Sequence, residues 1–104
     1  MSDMGRKANM GIYAFIRENA HDPVRYIGQS NDIGRRLEEH RRSGKLVPGL
    51  DRVERFPVRS QKDRDAVEAR LIKKFEPARN RRAEPKPKFL EGWSLARKIL
   101  KELR

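Results

Sequence analysis

Three residues able to manage a proton, a phosphate or a metal ion stand where helical periodicity would place apolar ones. At about 100° per residue, Ile33 and Leu37 define the apolar stripe of one helix, and Arg36 and His40 flank that stripe within the same arc. Arg35, Glu38, Glu39 and Arg42 fall on the opposite side. Burying an unpaired charge is costly, so the face that carries Arg36 and His40 is expected to border a polar cleft. A second helix repeats the pattern. Val67, Leu71, Ile72 and Phe75 form its apolar arc with Glu68 in the middle, while Arg70, Lys73 and Lys74 point elsewhere. A carboxylate so placed requires a cation, either a divalent metal or a nearby arginine. Arg36, or Arg64 one turn back, would serve as the arginine, and periodicity alone leaves both solutions open.

Turn and cap signals identify the elements that must carry these residues. Ile12 to Arg17 and Val24 to Gln29 are rich in β-branched and aromatic residues, and the loop-forming stretch between them ends in Asp22-Pro23, the pattern of a hairpin. If Phe15 faces Tyr26, then Tyr13 faces Gly28 and both tyrosines share one side; a slip of one residue separates them. Ser30, Asn31 and Asp32 are three candidate N-caps for a helix of about twelve residues that Ser43-Gly44 closes. Arg52 to Val58 is a poorer strand, which Pro57 confines to a sheet edge or a strand end. Ser60 with Asp63 resembles a capping box and opens a helix reaching Phe75, before Glu76-Pro77 stops it. A basic linker over residues 81–90 contains Pro85 and Pro87, and an amphipathic helix takes up 91–104. Residues 1–10 are expected to be a flexible N-terminus. The order β-β-α-β-α-α describes a small α+β domain.

Composition narrows the partners. The chain has 104 residues, 36% of them apolar and 39% charged, which allows one domain with a thin core. It has no cysteine, so disulfides and thiolate–metal sites are excluded. No apolar run approaches the roughly 20 residues of a membrane helix. The first ten residues hold no signal-peptide apolar segment, and a cytoplasmic protein without a membrane partner is expected. Lys+Arg 26 against Asp+Glu 15 gives a formal net charge of +11, which favours a polyanion. Arginine outnumbers lysine and its planar fork suits phosphate oxygens, so nucleic acid comes first.

Gly11-Ile12-Tyr13, then Tyr26-Ile27-Gly28, then Arg36 and His40 on the next helix, then Glu68 followed by Pro77 and Asn80, resemble the GIY-YIG nuclease superfamily in order and in placement. The resemblance covers residues 11–80, and implies that they form a catalytic domain: a three-stranded antiparallel sheet flanked by helices. It further implies hydrolysis of phosphodiesters in DNA with one divalent ion, Mg²⁺ or Mn²⁺. By the same resemblance Tyr13 and Tyr26 flank the scissile phosphate, Arg36 holds it and His40 assists proton transfer. Glu68 ligates the metal, Asn80 orients a neighbour or a phosphate, and Gly11 and Gly28 are the motif's structural glycines. Gln29, after Gly28, stands at a position that varies within the family.

The chemistry is consistent with those residue types. Hydrolysis needs a deprotonated water, positive charge at the non-bridging oxygens, help for the leaving oxygen and alignment. Mg²⁺ commonly takes one or two carboxylates and keeps several waters, so a single Glu68 suffices. Arg36 offers a fixed, bidentate charge. Two wirings of the base remain. Either Tyr13 is the base, with His40 accepting its proton or acting through the phenol, or His40 alone is the base by its ordinary pKa. Around this centre, Arg35 and the run Arg79, Arg81, Arg82, Lys86 and Lys88 are expected to follow DNA phosphates. Trp93, Leu95, Ala96, Ile99, Leu100 and Leu103 gather on one side of the last helix, which either closes the domain or forms a homodimer interface. Two other functions compete with the endonuclease: a non-catalytic nucleic-acid-binding module on the same fold, and a basic structural protein associated with nucleic acid. Metal-dependent nicking separates the first from both.

Overall fold

Strand β1 (Gly11–Ile16) is buried at all six of its positions, and a strand can be dry on both faces only if a layer covers each. The computed structural model describes residues 9–20, 23–75 and 92–103. In it β1 is the middle of a three-stranded antiparallel sheet, between β2 (Val24–Ser30) and β3 (Arg52–Pro57), in the order β2-β1-β3. Phe15 pairs with Tyr26 and Tyr13 with Gly28, the register that puts both tyrosines on one face. Helix α1 (Ile33–Ser43) covers that face, where Tyr13, Phe15 and Ile33 form a small core with Tyr26 and Leu37. The other face presents Ile12, Ala14 and Ile16 to Val67, Leu71 and Phe75 of α2 (Gln61–Phe75) and to Ala96 and Ile99 of α3 (Gly92–Glu102).

The start of α1 is tied down from three sides. Among the three candidate caps it is Asp32 whose side chain accepts from the Arg35 N–H. Ser30 Oγ accepts from the Asp32 N–H at 2.8 Å, and Asn9 donates to Asp32 Oδ1 at 3.0 Å while its own Oδ1 accepts from the Gly34 N–H at 2.7 Å. Asn9, within the segment 1–10, is thus hydrogen-bonded to the start of α1. The Met10 carbonyl accepts from the Val58 N–H at 3.0 Å. Gly44 closes the helix in the left-handed conformation, with its N–H on the Arg41 carbonyl. The connection onward to β3 is pinned by Asp51, whose side chain is fully buried and accepts from Arg17 and from the Val47 N–H, both at 2.9 Å.

Pro57 ends an edge strand, as a residue with no N–H to donate must. At the start of α2, Ser60 Oγ accepts from the Asp63 N–H at 3.3 Å. In α3, Trp93 stacks on Phe56 with ring centroids 5.4 Å apart. Leu103, expected on the apolar side, lies 37% exposed in the closing turn. Among the described residues no helix is long and apolar enough to cross a membrane.

Gly11 is a glycine for lack of room. A Cβ there would stand 2.1 Å from the Phe56 carbonyl oxygen and 2.7 Å from the Val58 nitrogen, both backbone atoms of the neighbouring strand and its exit. Backbone cannot swing aside, so the substitution must part β1 from β3. Gly11→Ala is expected to cost about 2 kcal/mol of stability, which in a chain of this size lowers Tm by about 10 °C. A thermal melt with an unchanged midpoint would contradict the close packing of the two strands.

Candidate active site

The capped, anchored α1 holds Arg36 and His40 one turn apart above the face of β1 that bears Tyr13. Tyr13 reaches sideways from the central strand until the end of its ring lies over Gly28 of β2. A Cβ on Gly28 would come within 2.6 Å of both Tyr13 Cζ and its hydroxyl, and 2.9 Å from the Tyr26 ring. The missing side chain is what lets the phenol occupy this place. Its oxygen lies 2.8 Å from His40 Nε2.

His40 is nearly sealed, at 4% exposure, among three aromatic rings. Tyr13, Phe15 and Tyr26 stand 5.7, 5.4 and 5.0 Å from it, centroid to centroid. Burial, then the positive charges of Arg36 and Lys45, push its pKa down to about 4. It is neutral at pH 7, and the tautomer with its proton on Nδ1 receives the Tyr13 hydroxyl at Nε2. Burial, with Tyr26 beside it, pushes the Tyr13 phenol well above its ordinary range; Arg36, close enough to hydrogen-bond, pulls the other way and loses. The phenol therefore keeps its proton at neutral pH. Lys45 Nζ stands over the Tyr26 ring, 4.7 Å from its centroid, and brings a second cation to the rim.

Arg36 lies on the inward side of α1, close enough to hydrogen-bond to the Tyr13 hydroxyl, with its guanidinium at the rim. Its side chain is 38% exposed and pairs with Glu39, because a long side chain can lay its stem on the apolar stripe and lift its charge to the rim. Arg35 is exposed and bridges Asp32 and Glu39 along the helix. Its guanidinium is thus engaged locally.

Glu68 stands apart from these four. Gln29, the residue it bonds to, pairs with Ile12 in the β1–β2 register, so it lies on the sheet face opposite Tyr13. The structure thus brings Tyr13, Tyr26, Arg36 and His40 together on the α1 side of β2, and sets Glu68 on its α2 side. Burial raises the pKa of Glu68, the nearby Asp65 raises it further, and the Gln29 hydrogen bond opposes both. The ion-pair alternative is not what forms. Arg64 is buried and donates instead to the carbonyls of Val58 and Arg59 and to Gln29 and Gln61, while Arg36 turns to Glu39. Glu68 has no salt bridge among the described residues. A desolvated carboxylate lacking a cation, with a second carboxylate beside it, has the donor chemistry a divalent ion uses. Among the described residues no three His, Cys, Asp or Glu converge.

Asn80, Arg79, Arg81, Arg82, Lys86 and Lys88 lie outside the described residues. Three residues of the site had no part in the sequence argument. Asp65 is three positions before Glu68 on α2, a spacing that periodicity could have exposed. Lys45 follows the helix-ending Gly44, where no period operates, and Gln29 carried no signal beyond its place after Gly28.

A family model, the GIY-YIG catalytic domain, matches residues 9–82 of the 104-residue chain. No curated protein and no solved structure matches it.

The His40 assignment has a direct check. In the unfolded chain His40 binds its proton near the ordinary 6.5, and in the native state only near about 4. Between these values the unfolded state holds more protons, so the stability contributed by neutral His40 is complete above 6.5 and drains away as the pH falls toward 4. An NMR titration of the imidazole, assigned with a His40→Asn variant, is expected to give a midpoint close to 4. A midpoint at 6.5 would mean that the cage is open to water and the imidazole is not the neutral acceptor described.

Proposed function

From the premise that the chain belongs to the GIY-YIG catalytic domain family, whose function is of the nuclease type, we propose that it is a metal-dependent DNA endonuclease. The observation that carries the reading is the 2.8 Å contact between the Tyr13 phenol and a neutral, caged His40, with Arg36 beside the same oxygen. A phenol that keeps its proton is no base by itself. Joined to an imidazole with a vacant lone pair, it becomes one: it takes the proton of the attacking water while its own passes to His40 Nε2. This favours the first of the two wirings.

A base held near 4 is weak, and the same charges that weaken it explain how it becomes stronger. Burial lowers the His40 pKa most, Arg36 and Lys45 lower it further, and Glu39 offsets them only in part. A phosphodiester drawn in beside Arg36 and Lys45 offsets both, and the pKa of His40 rises by the part that those two charges had taken from it. The base is thereby activated by the substrate it serves. Arg36, with a guanidinium already at the rim, suits the non-bridging oxygens. Tyr26 closes the opposite wall. Glu68, with Asp65 near it, would hold the divalent ion, Mg²⁺ or Mn²⁺; because β2 is an edge of the sheet, an ion bound there would supply Lewis-acid neutralisation of charge to a phosphate that lies across that edge. The net charge of +11 supports a DNA partner.

Purified protein incubated with branched and linear DNA in Mg²⁺ and in EDTA tests the reading, and no cutting in Mg²⁺ or Mn²⁺ on either substrate would overturn it. Glu68→Gln is expected to abolish cleavage while keeping or raising Tm, since the neutral isostere escapes the cost of a desolvated carboxylate. Normal cleavage by that variant removes Glu68 from metal binding. Arg36→Lys keeps the charge and loses the fork, and is expected to lower kcat by about 10-fold or more. Near-normal turnover would reduce Arg36 to a general electrostatic contact.

A further inference from the structure

Gln29 lies near the end of β2, at the centre of a network that joins Arg64 to the carboxylates of α2. Arg64, 4% exposed, donates to the carbonyl oxygens of Val58 at 3.1 Å and of Arg59 at 2.5 Å. It also donates to Gln61 Oε1 at 2.9 Å and, through Nε, to Gln29 Oε1 at 3.3 Å. Gln61 Nε2 adds a second donor to that oxygen at 3.1 Å. A guanidinium can only donate, so the side of the Gln29 amide that faces Arg64 has to be the oxygen. The NH₂ group must then face away, and there the two carboxylates of α2 lie: Gln29 donates to Asp65 Oδ1 and to Glu68. Gln61 Nε2 also reaches Asp65 Oδ1, at 2.8 Å.

The polarity of this chain runs one way, from a buried cation through two neutral amides to two carboxylates. A glutamate side chain has three torsions to fix, and an amide anchored at its far end restricts them. Because the donor is neutral, it orients the carboxylate without occupying it, whereas a lysine or arginine in the same place would neutralise it and compete with any metal. We propose that Gln29 is a positioning residue for Glu68, passing the anchorage of Arg64 to that carboxylate and holding it in the orientation that takes the divalent ion. The inference rests on the metal-dependent reading of the site.

Mn²⁺ titrated calorimetrically into the DNA-free protein tests it, using wild type, Glu68→Gln and Gln29→Met, the last a chain of similar length that makes neither hydrogen bond. Partners that orient a metal ligand are commonly worth 10–100-fold in affinity. Gln29→Met is therefore expected to weaken Mn²⁺ binding by about 10-fold or more and to raise the Mg²⁺ needed for half-maximal cleavage by a similar factor, with the rate restored at saturating metal. A purely structural role would lower Tm and leave the Mn²⁺ affinity of the folded protein alone. Wild-type affinity in Gln29→Met, together with lost binding in Glu68→Gln, overturns the role of Gln29 and spares the metal reading. Wild-type affinity in Glu68→Gln overturns the metal reading itself, and the role of Gln29 with it. If Gln29→Met fails to fold, Gln29→Asn takes its place. Its amide is one methylene too short to span from Arg64 to Glu68, so the same weakening is expected, and undiminished affinity counts against the proposal equally.

Discussion

Everything in this domain follows from having a central strand that must be dry on both sides. Burying β1 completely in a chain with so few apolar residues commits the three described helices to the task, α1 to one face and α2 with α3 to the other. The six positions of one strand thereby divide the protein into two chemical halves. Alternation sends Ile12, Ala14 and Ile16 into the larger core and Tyr13 and Phe15 into the smaller one. The smaller core is where polar groups are admitted, because one short helix covers it and its rim stays open. Tyr13 and His40 are as much packing as chemistry in that place, and the hydrogen bond between them satisfies two buried polar groups at once.

The electrostatics of the site are set by that enclosure. Without burial, His40 would be partly charged near pH 7 and its Nε2 would compete for a donor's role against the Tyr13 hydroxyl. The aromatic walls and the two cations at the rim remove the ambiguity. On the far side of β2 the same agent, burial, acts on Glu68 in the opposite electrical sense, favouring a cation where the cage favours an anion. The two halves are offset in charge preference and share one strand, β2, whose Gly28 faces one half and Gln29 the other. Adjacent residues on a pleated strand point to opposite faces, and here that simple fact links two kinds of chemistry.

Much of this arrangement was legible in the sequence. The order of the six described elements, a cap among Ser30, Asn31 and Asp32, the Gly44 stop and the edge or end position of Pro57 all followed from local rules, because each depends on a few neighbouring residues. The tyrosine register was conditional, since it rests on pairing between strands. Periodicity marked His40 as inward and put Arg36 beside it, but did not say how deep the guanidinium would lie. A helical wheel locates Cβ atoms, and cannot say that a four-atom stem will carry its charge back to the rim. It also marked Glu68 as facing the sheet without saying which face of the sheet. That distinction belongs to topology, and no count along a single helix contains it. Arg64 illustrates the same limit. Its distance of one turn from Glu68 invited an ion pair, yet the carbonyls of Val58 and Arg59 at the preceding strand exit claim it instead.

The surface charges complete the physical account. Many acids outside the site are paired along the surface: Glu38 with Arg41 and Arg42, Glu18 and Glu54 with Arg52, Glu102 with Arg70. Exposed pairs of this kind add little stability, but they cancel charge locally and leave the excess of basic side chains to act at longer range. The Arg36–Glu39 pair belongs to the same class, being about two-fifths exposed at each end. Such a pair is cheap to break. In the proposed reaction, a phosphate arriving at the rim need only outcompete a solvated carboxylate for the guanidinium, and the two-oxygen geometry that an arginine fork prefers is available on the phosphate as well. Glu39 thus holds Arg36 at the mouth of the cage without burying it, in the position from which exchange to a phosphate requires no movement of α1.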